Sequence, residues 1–326
     1  MSFIYLQDAH AYLESVVTSL TLNNYQLVKM VESFKDEVDL GLERHWMEVE
    51  GEPDPPASSL MMIDSCIDEL PTGSEKGVTY SMDVGGSNIR VAQVQIHGAG
   101  CVTLTQRRTD VTSKLMDPQT TATEFFDVLA ELVREEFANN DDVQHRLDSD
   151  GNVLSGNSAP VGLTFSFPME QYSRECAVLS RWTKGWQTAR ATADPIEGRD
   201  VVKLMNDALV RNRVPAFISV CINDTIATQV TADFESKGQM GLPCPIGMII
   251  GTGFNVSYTE PRFAEFHYTS PMINMECGNF DRNLPQTKYD EALDVLSVNP
   301  GVNRLEKMVS GKYLCPLVSI ILEDIY

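Results

Sequence analysis

The chain has 326 residues, 43% of them hydrophobic and 22% charged, with 46 acidic against 25 basic side chains and a formal net charge of −21. That composition excludes collagen-like, disordered and disulfide-scaffold classes and leaves room for one large or two ordinary domains. The acidity, with no basic cluster longer than Arg107-Arg108, excludes a polyanion-binding surface, so nucleic acid is not expected as a partner.

Seven cysteines are scattered singly without CxxC spacing, and the five histidines lie far apart. A zinc site of thiolates and imidazoles needs close-set ligand pairs, so none is expected; the unpaired thiols suggest a reducing compartment. Asp8 interrupts any apolar signal core, and the apolar run over 317–322 is too short to span a membrane. The reading is a soluble cytoplasmic protein with no membrane span.

Two helical stripes open the chain: Leu6, Ala9, Leu13, Val16 and Leu20, then Leu27, Met30, Val31, Phe34 and Val38. Gly41 is expected to end the second helix in the left-handed conformation, and a Pro-rich acidic connector over 49–59 reads as a solvated loop. Alternation at Val78, Tyr80, Met82 and Val84 predicts a strand, Gly85-Gly86 a turn, and 89–96 and 101–109 two further strands. Phe125, Phe126, Leu129, Leu132, Val133 and Phe137 recur at helical spacing. A polar tract over 139–157 reads as an exposed insertion. A strand over 161–167 and a helix over 199–211 follow, then a strand over 216–222 and a helix over 226–234. The pattern closes with a strand over 247–250, the turn Gly251-Thr252-Gly253 and a returning strand over 256–258. The chain thus twice makes strand, glycine turn, strand, with an Asn just past each turn (Asn88, Asn255), as two similar halves would.

Glycine lets backbone N–H groups approach an anion closely. The Walker and dinucleotide fingerprints require a helix directly after the glycines, whereas both turns here return into strands. Each is therefore an ordinary hairpin or one half of a hairpin-type phosphate clamp. The presence of two, with Asp83 just before the first, favours the clamp.

The segment Asp83-Val84-Gly85-Gly86-Ser87-Asn88-Ile89-Arg90-Val91 resembles the first phosphate motif of the hexokinase family, which belongs to the actin-like, ribonuclease-H-like superfamily of ATPases. Leu163-Thr164-Phe165-Ser166-Phe167-Pro168 and Trp182-Thr183-Lys184-Gly185-Trp186 resemble its sugar-binding segments, and Ile222-Asn223-Asp224-Thr225 its catalytic-base segment. Gly251-Thr252-Gly253-Phe254-Asn255 is similar to the second phosphate segment. Asn274-Met275-Glu276-Cys277-Gly278 is similar to the acidic sugar segment, and Arg304 to Gly311 to a further one. The blocks follow one another in family order from about residue 5 to residue 314.

The resemblance implies an α/β, two-lobed actin-like ATPase (ribonuclease-H-like) fold. The large lobe would take the N-terminal helices and connector over 1–78 together with 217–326, and the small lobe 79–216. It implies phosphorylation of a hexose such as glucose at its 6-hydroxyl by ATP with Mg²⁺, the opening step of glycolysis, with the lobes closing on the sugar. A sugar hydroxyl is a poor nucleophile and needs a carboxylate to take its proton. By the resemblance that base is Asp224, which read alone is also a candidate helix cap. Lys184 would offset charge on the transferred group and, with Thr183, contact the substrate. Ser166, Asn223, Asn255, Glu276 and Glu306 match sugar-binding positions. Asp83 would hold Mg²⁺ through water, while Gly85, Gly86, Ser87, Asn88, Thr252 and Gly253 would hold the phosphates. Arg90 pairs with phosphate or with a neighbouring carboxylate. Trp182 and Trp186 are read as packing residues rather than sugar platforms.

Departures from the family pattern cluster near the end. Cys315-Pro316 stand where the family typically has Gly-Glu, and no Gly-rich adenosine segment follows, so a truncated large lobe is expected. Phe254 stands where Ser or Thr is usual. Two functional expectations result: an active hexose kinase, or a sugar-binding remnant, sensor or vestige, without productive ATP binding. Oligomeric state is not legible.

Overall fold

The computed structural model describes residues 2–138 and 156–325; most of the expected polar insertion, over 139–155, lies outside them. The chain divides into two units, one built from residues 1–62, 250–255 and 275–326, the other from 63–249 and 256–274.

In the first unit, α1 (Ser2–Leu20) is followed by α2 (Asn24–Glu50), which starts on a capping box between Asn23 and Gln26. Gly41 does not end α2. The helix runs on to Gly51, whose φ of 72° makes the left-handed cap. Gly41 instead serves a close approach: a Cβ there would lie 2.5 Å from Met62 Cγ. The expected apolar stripes are only partly buried, with Val16 inside and Leu13, Leu20, Leu27 and Val31 exposed. The side chains of Leu6 and Ala9 lie outside the described residues. Beside Leu42, α2 buries a polar group: Glu37 accepts from the hydroxyls of Ser58 and Ser59 and pairs with Arg282 Nε at 2.6 Å. Arg44 donates to the carbonyls of Ser58, Leu60 and Met61. The connector is thus solvated at its start but tied down at its end. Three further helices, α6 (Lys288–Leu296), α7 (Arg304–Val309) and α8 (Gly311–Ile325), complete this unit. Val16, Tyr289, Leu293, Tyr313 and Leu317 form one apolar cluster joining α1, α6 and α8.

The second unit is built on a five-stranded sheet of order β4-β3-β2-β5-β8. Strands β2 (Lys76–Val84), β3 (Asn88–Gly98) and β4 (Cys101–Asp110) form the expected antiparallel meander, while β5 (Ala159–Phe165) and β8 (Ala216–Ile222) join it in parallel. Helices α3 (Ala122–Ala138) and α4 (Val201–Arg211) pack on it. The core gathers Val84, Phe125, Phe126, Phe165, Phe167, Trp182 and Trp186. A hairpin, β6 (Met169–Ser173) with β7 (Cys176–Leu179), was not expected from the sequence. The other sheet, of order β1-β11-β10-β9, comprises β1 (Ile63–Asp64), β11 (Met272–Asn274), β10 (Phe254–Thr259) and β9 (Ile246–Ile250). Helix α5 (Asp224–Met240) lies against β9: a Cβ on Gly247 would come within 2.5 Å of the Thr225 carbonyl.

Candidate active site

Each unit carries one cluster of the expected residues. In the second unit the cluster is a product of strand register. β2, β5 and β8 run parallel, with Asp83 beside Thr164 and Thr164 beside Ile222. The residues leaving the carboxyl ends of these strands, Ser166 and Asn223-Asp224, therefore emerge next to Asp83, where open α/β sheets bind ligands. The Ser166 N–H donates to the Val84 carbonyl at 3.1 Å and fixes that edge.

Asn223, not Asp224, caps α5. Its side-chain oxygen accepts from the Thr225 N–H at 3.0 Å and from the Thr225 hydroxyl at 2.7 Å. Asp224 is the first helical residue, so its carboxylate is not spent on the cap. Lys184 adopts a left-handed φ of 56°, costly for a residue with a Cβ. Its ammonium donates to the Ser166 carbonyl at 2.6 Å and lies 5.5 Å from the Phe167 ring centre. Arg90 makes the carboxylate contact, one of its two expected roles, donating to Asp83 Oδ2 at 2.7 Å. Burial pushes the Asp83 carboxyl above its ordinary range, Arg90 pulls it back, and the charges of Asp224 and Lys184 act in opposite directions on it. Asp83, Arg90, Asp224 and Lys184 thus share one electrostatic neighbourhood.

The first glycine turn is wired with its carbonyls inward. Gly86 O accepts from the Trp186 indole at 3.0 Å, Ser87 O from the Val111 N–H at 3.0 Å, and Asn88 O from the Gly85 N–H at 2.9 Å. The Asn88 side chain accepts from Arg108 Nε at 2.6 Å. A peptide whose carbonyl is engaged on one side presents its N–H on the other, which is the arrangement of an anion nest.

The second turn, in the first unit, follows the same rule. Gly251 O and Thr252 O accept from the Gly311 and Lys312 N–H groups that open α8, at 2.8 and 3.2 Å, and Gly253 O accepts from the Gly251 N–H at 2.9 Å. Around it stand the acidic residues. Glu306 accepts from the Phe254 N–H at 2.9 Å, and Asn255 Nδ2 donates to Glu276 Oε1 at 3.2 Å. Asn255, Glu276 and Glu306 are buried, and Glu276 is held at φ 49°. Gly278 makes room for them, since a Cβ there would lie 2.8 Å from the Phe254 carbonyl and 3.2 Å from Glu306 Cβ.

Asp83 suits Mg²⁺ held through water, because Mg²⁺ keeps several waters and takes one or two carboxylates beside substrate phosphates. The Asp224 charge in the same neighbourhood makes a cation more welcome. Among the described residues no three His, Cys, Asp or Glu side chains gather into an all-protein metal cage.

Two family models cover nearly the whole chain, both described as hexokinase, over residues 12–234 and 245–326. The chain belongs to the hexokinase family. It is 37% identical to the hexokinase of Plasmodium falciparum over 316 residues (93% of this chain, 60% of that one) and 36% identical to that of Toxoplasma gondii over 324 residues (95% and 66%). Among solved structures, a crystal structure of hexokinase aligns with TM-score 0.82 at 37% identity over 98% of this chain and 67% of its own. The glucose complex of Schistosoma mansoni hexokinase aligns with TM-score 0.78 at 27% identity, over 97% and 66%. The fold is therefore the actin-like ATPase fold of hexokinases. The chain spans about 60–67% of the length of these relatives. Among the described residues no helix is long and apolar enough to cross a membrane.

Within this hexokinase framework, sequence reasoning missed the groups that hold the turns: the Trp186 indole, the amides of Gly311 and Lys312, and Arg108. The two aromatic residues of the Trp-Thr-Lys-Gly-Trp segment do pack as expected, stacked at 5.3 Å and buried. Ser310-Gly311 marks a break before a helix, but nothing local in the sequence places the start of α8 at the second turn.

Proposed function

We propose that this chain phosphorylates a hexose such as glucose at the 6-hydroxyl, using ATP, as the entry step of glycolysis, with Asp224 as general base. Family membership supports the reaction class, and a relative's structure solved with glucose supports the sugar. The observation that carries the assignment of the base is local. Asp224 is released from capping by Asn223 and shares a charge field with Asp83 and Lys184.

Asp224 takes the proton from the sugar hydroxyl as it attacks, and Lys184 offsets charge on the transferred group. Ser166, Thr183 and Asn223 bind sugar hydroxyls, as do Asn255, Glu276 and Glu306, whose carboxylates make the stronger, charge-assisted bonds. The turns 86–88 and 251–253 are read as holding phosphate through backbone N–H groups, the Phe254 N–H not among them because it donates to Glu306. Mg²⁺, when bound, neutralises phosphate charge, and Asp83 is the residue that holds its water shell. The lobe division over 1–78, 79–216 and 217–326, and a cytoplasmic location, belong to the same proposal.

The test is formation of sugar 6-phosphate from ATP and glucose by the 326-residue chain. Replacing the base, Asp224→Asn, is expected to lower turnover about 10²–10⁴-fold with little change in melting temperature. Equal product from both chains would overturn the assignment of the base. No product from a folded chain that still binds glucose would instead leave the second reading, a sugar-binding protein without phosphoryl transfer.

A further inference from the structure

We propose that Trp186 is a positioning residue for the first phosphate turn: its indole N–H holds the Gly86 carbonyl inward and so sets the orientation of the Gly86–Ser87 peptide within the turn. The inference rests on the reading of residues 85–88 as a phosphate turn and adds to it the side chain that sets the turn's orientation.

Three carbonyls of the turn are held by protein donors. Those of Ser87 and Asn88 accept from backbone amides, Val111 and Gly85, so they depend little on side-chain identity. The Gly86 carbonyl accepts from a side chain, Trp186 Nε1, at 3.0 Å. No described peptide bond is cis, so the N–H of the Gly86–Ser87 unit lies opposite that carbonyl. Direction is therefore transmitted from the indole to the amide through one rigid plane.

The indole itself has little freedom. Trp186 is 1% exposed. It stacks on Trp182 at 5.3 Å and 21°, and meets Phe167 at 5.2 Å and Phe125 at 5.9 Å edge to face. Such packing fixes where its N–H points. Trp186 also closes the loop that carries Thr183 and Lys184, its own N–H donating to the Thr183 carbonyl at 3.0 Å. The loop with the phosphate-neutralising lysine and the turn with the phosphate amides are thus joined at one aromatic side chain.

Trp186→Phe keeps an aromatic ring and removes the N–H. With magnesium tripolyphosphate as probe, which needs no adenine contact, the variant is expected to bind about two- to tenfold more weakly, the worth of one hydrogen bond. Its glucose affinity, followed by the remaining tryptophan fluorescence, stays within about twofold, because that bond serves the turn and not the sugar residues. The chain has three tryptophans, so the wild-type protein offers a second readout that does not need the variant to fold. In a ¹⁵N-tryptophan-labelled sample, saturating probe shifts the Trp186 indole resonance and leaves that of Trp46 in place. Unaltered probe affinity in Trp186→Phe, or an unmoved Trp186 resonance at saturation, overturns the positioning role while the phosphate reading stands. No binding of the probe by the wild-type chain overturns the phosphate reading and this inference with it.

Discussion

Asn223 and Asp224 are adjacent, and both are residue types that cap helices equally well. Which one caps is decided by backbone conformation: Asn223 sits at φ −69°, ψ 155°, outside the helix, and Asp224 inside it. The division of labour has a measurable signature. Asn223→Ala loses the cap and should cost about 1 kcal/mol in chemical denaturation, together with sugar affinity. Asn223→Asp keeps a capping oxygen, so stability should return, while sugar binding, under the proposed contact of this amide's donor with the sugar, does not. Recovery of both would show that Asn223 acts on sugar only through the helix. The resemblance of Ile222-Asn223-Asp224-Thr225 to a family segment made these residues legible as candidates. Their separate roles were not, because two neighbouring Asx residues look alike until φ and ψ are known.

At the scale of elements, Glu306 reaches the Phe254 N–H because α7 is pinned to α6. The pin is a buried ion pair, Lys307 Nζ to Asp294 Oδ1 at 2.6 Å, with Lys307 also donating to the Asn299 carbonyl and Asp294 accepting from the Gly301 N–H. The Lys307 side chain is 3% exposed, so removing its partner strands a charge. Asp294→Asn or Lys307→Met should each cost about 3–5 kcal/mol, read from urea unfolding. Burial alone would raise the Asp294 carboxyl, but the hydrogen bonds from Lys307 and Gly301, with Lys307's charge, bring it below its ordinary value. A depressed carboxyl contributes stability that is present above the unfolded value of about 3.9 and is lost as pH falls through the folded one. The wild-type chain should therefore lose stability on acidification below about pH 4 more steeply than Lys307→Met; parallel pH profiles would sink the argument. Periodicity predicted α3, α4 and the meander but not the β6–β7 hairpin or α6 to α8. It also misread Gly41, since a glycine needed for close packing against Met62 and a glycine needed for positive φ carry the same letter.

Over the whole molecule, charge and apolar surface pull against each other. The net charge of −21 opposes self-association. Yet β9, an edge strand, exposes Ile246, Met248 and Ile250 on the face opposite Gly247, the kind of edge that pairs with other chains. Salt shortens the range of the repulsion, to about 10 Å at 0.1 M, without weakening apolar contact. Sedimentation should accordingly show larger species as salt rises, and Met248→Thr with Ile250→Thr should suppress them. A size distribution indifferent to salt would contradict this balance.

The amino-acid sequence by itself determined the family, the order of the elements around both glycine turns and the residue types offered to sugar and phosphate, because these are local patterns carried in contiguous segments. It also determined the strand, turn, strand geometry that set aside the Walker and dinucleotide folds. Only the tertiary structure decided which donor holds which carbonyl of the turns, that Arg90 spends its charge on Asp83, and that the ends of β2, β5 and β8 bring Asp83, Ser166 and Asp224 together. Those outcomes depend on register and packing between segments as much as 141 residues apart, Asp83 to Asp224, and no local pattern encodes such a distance.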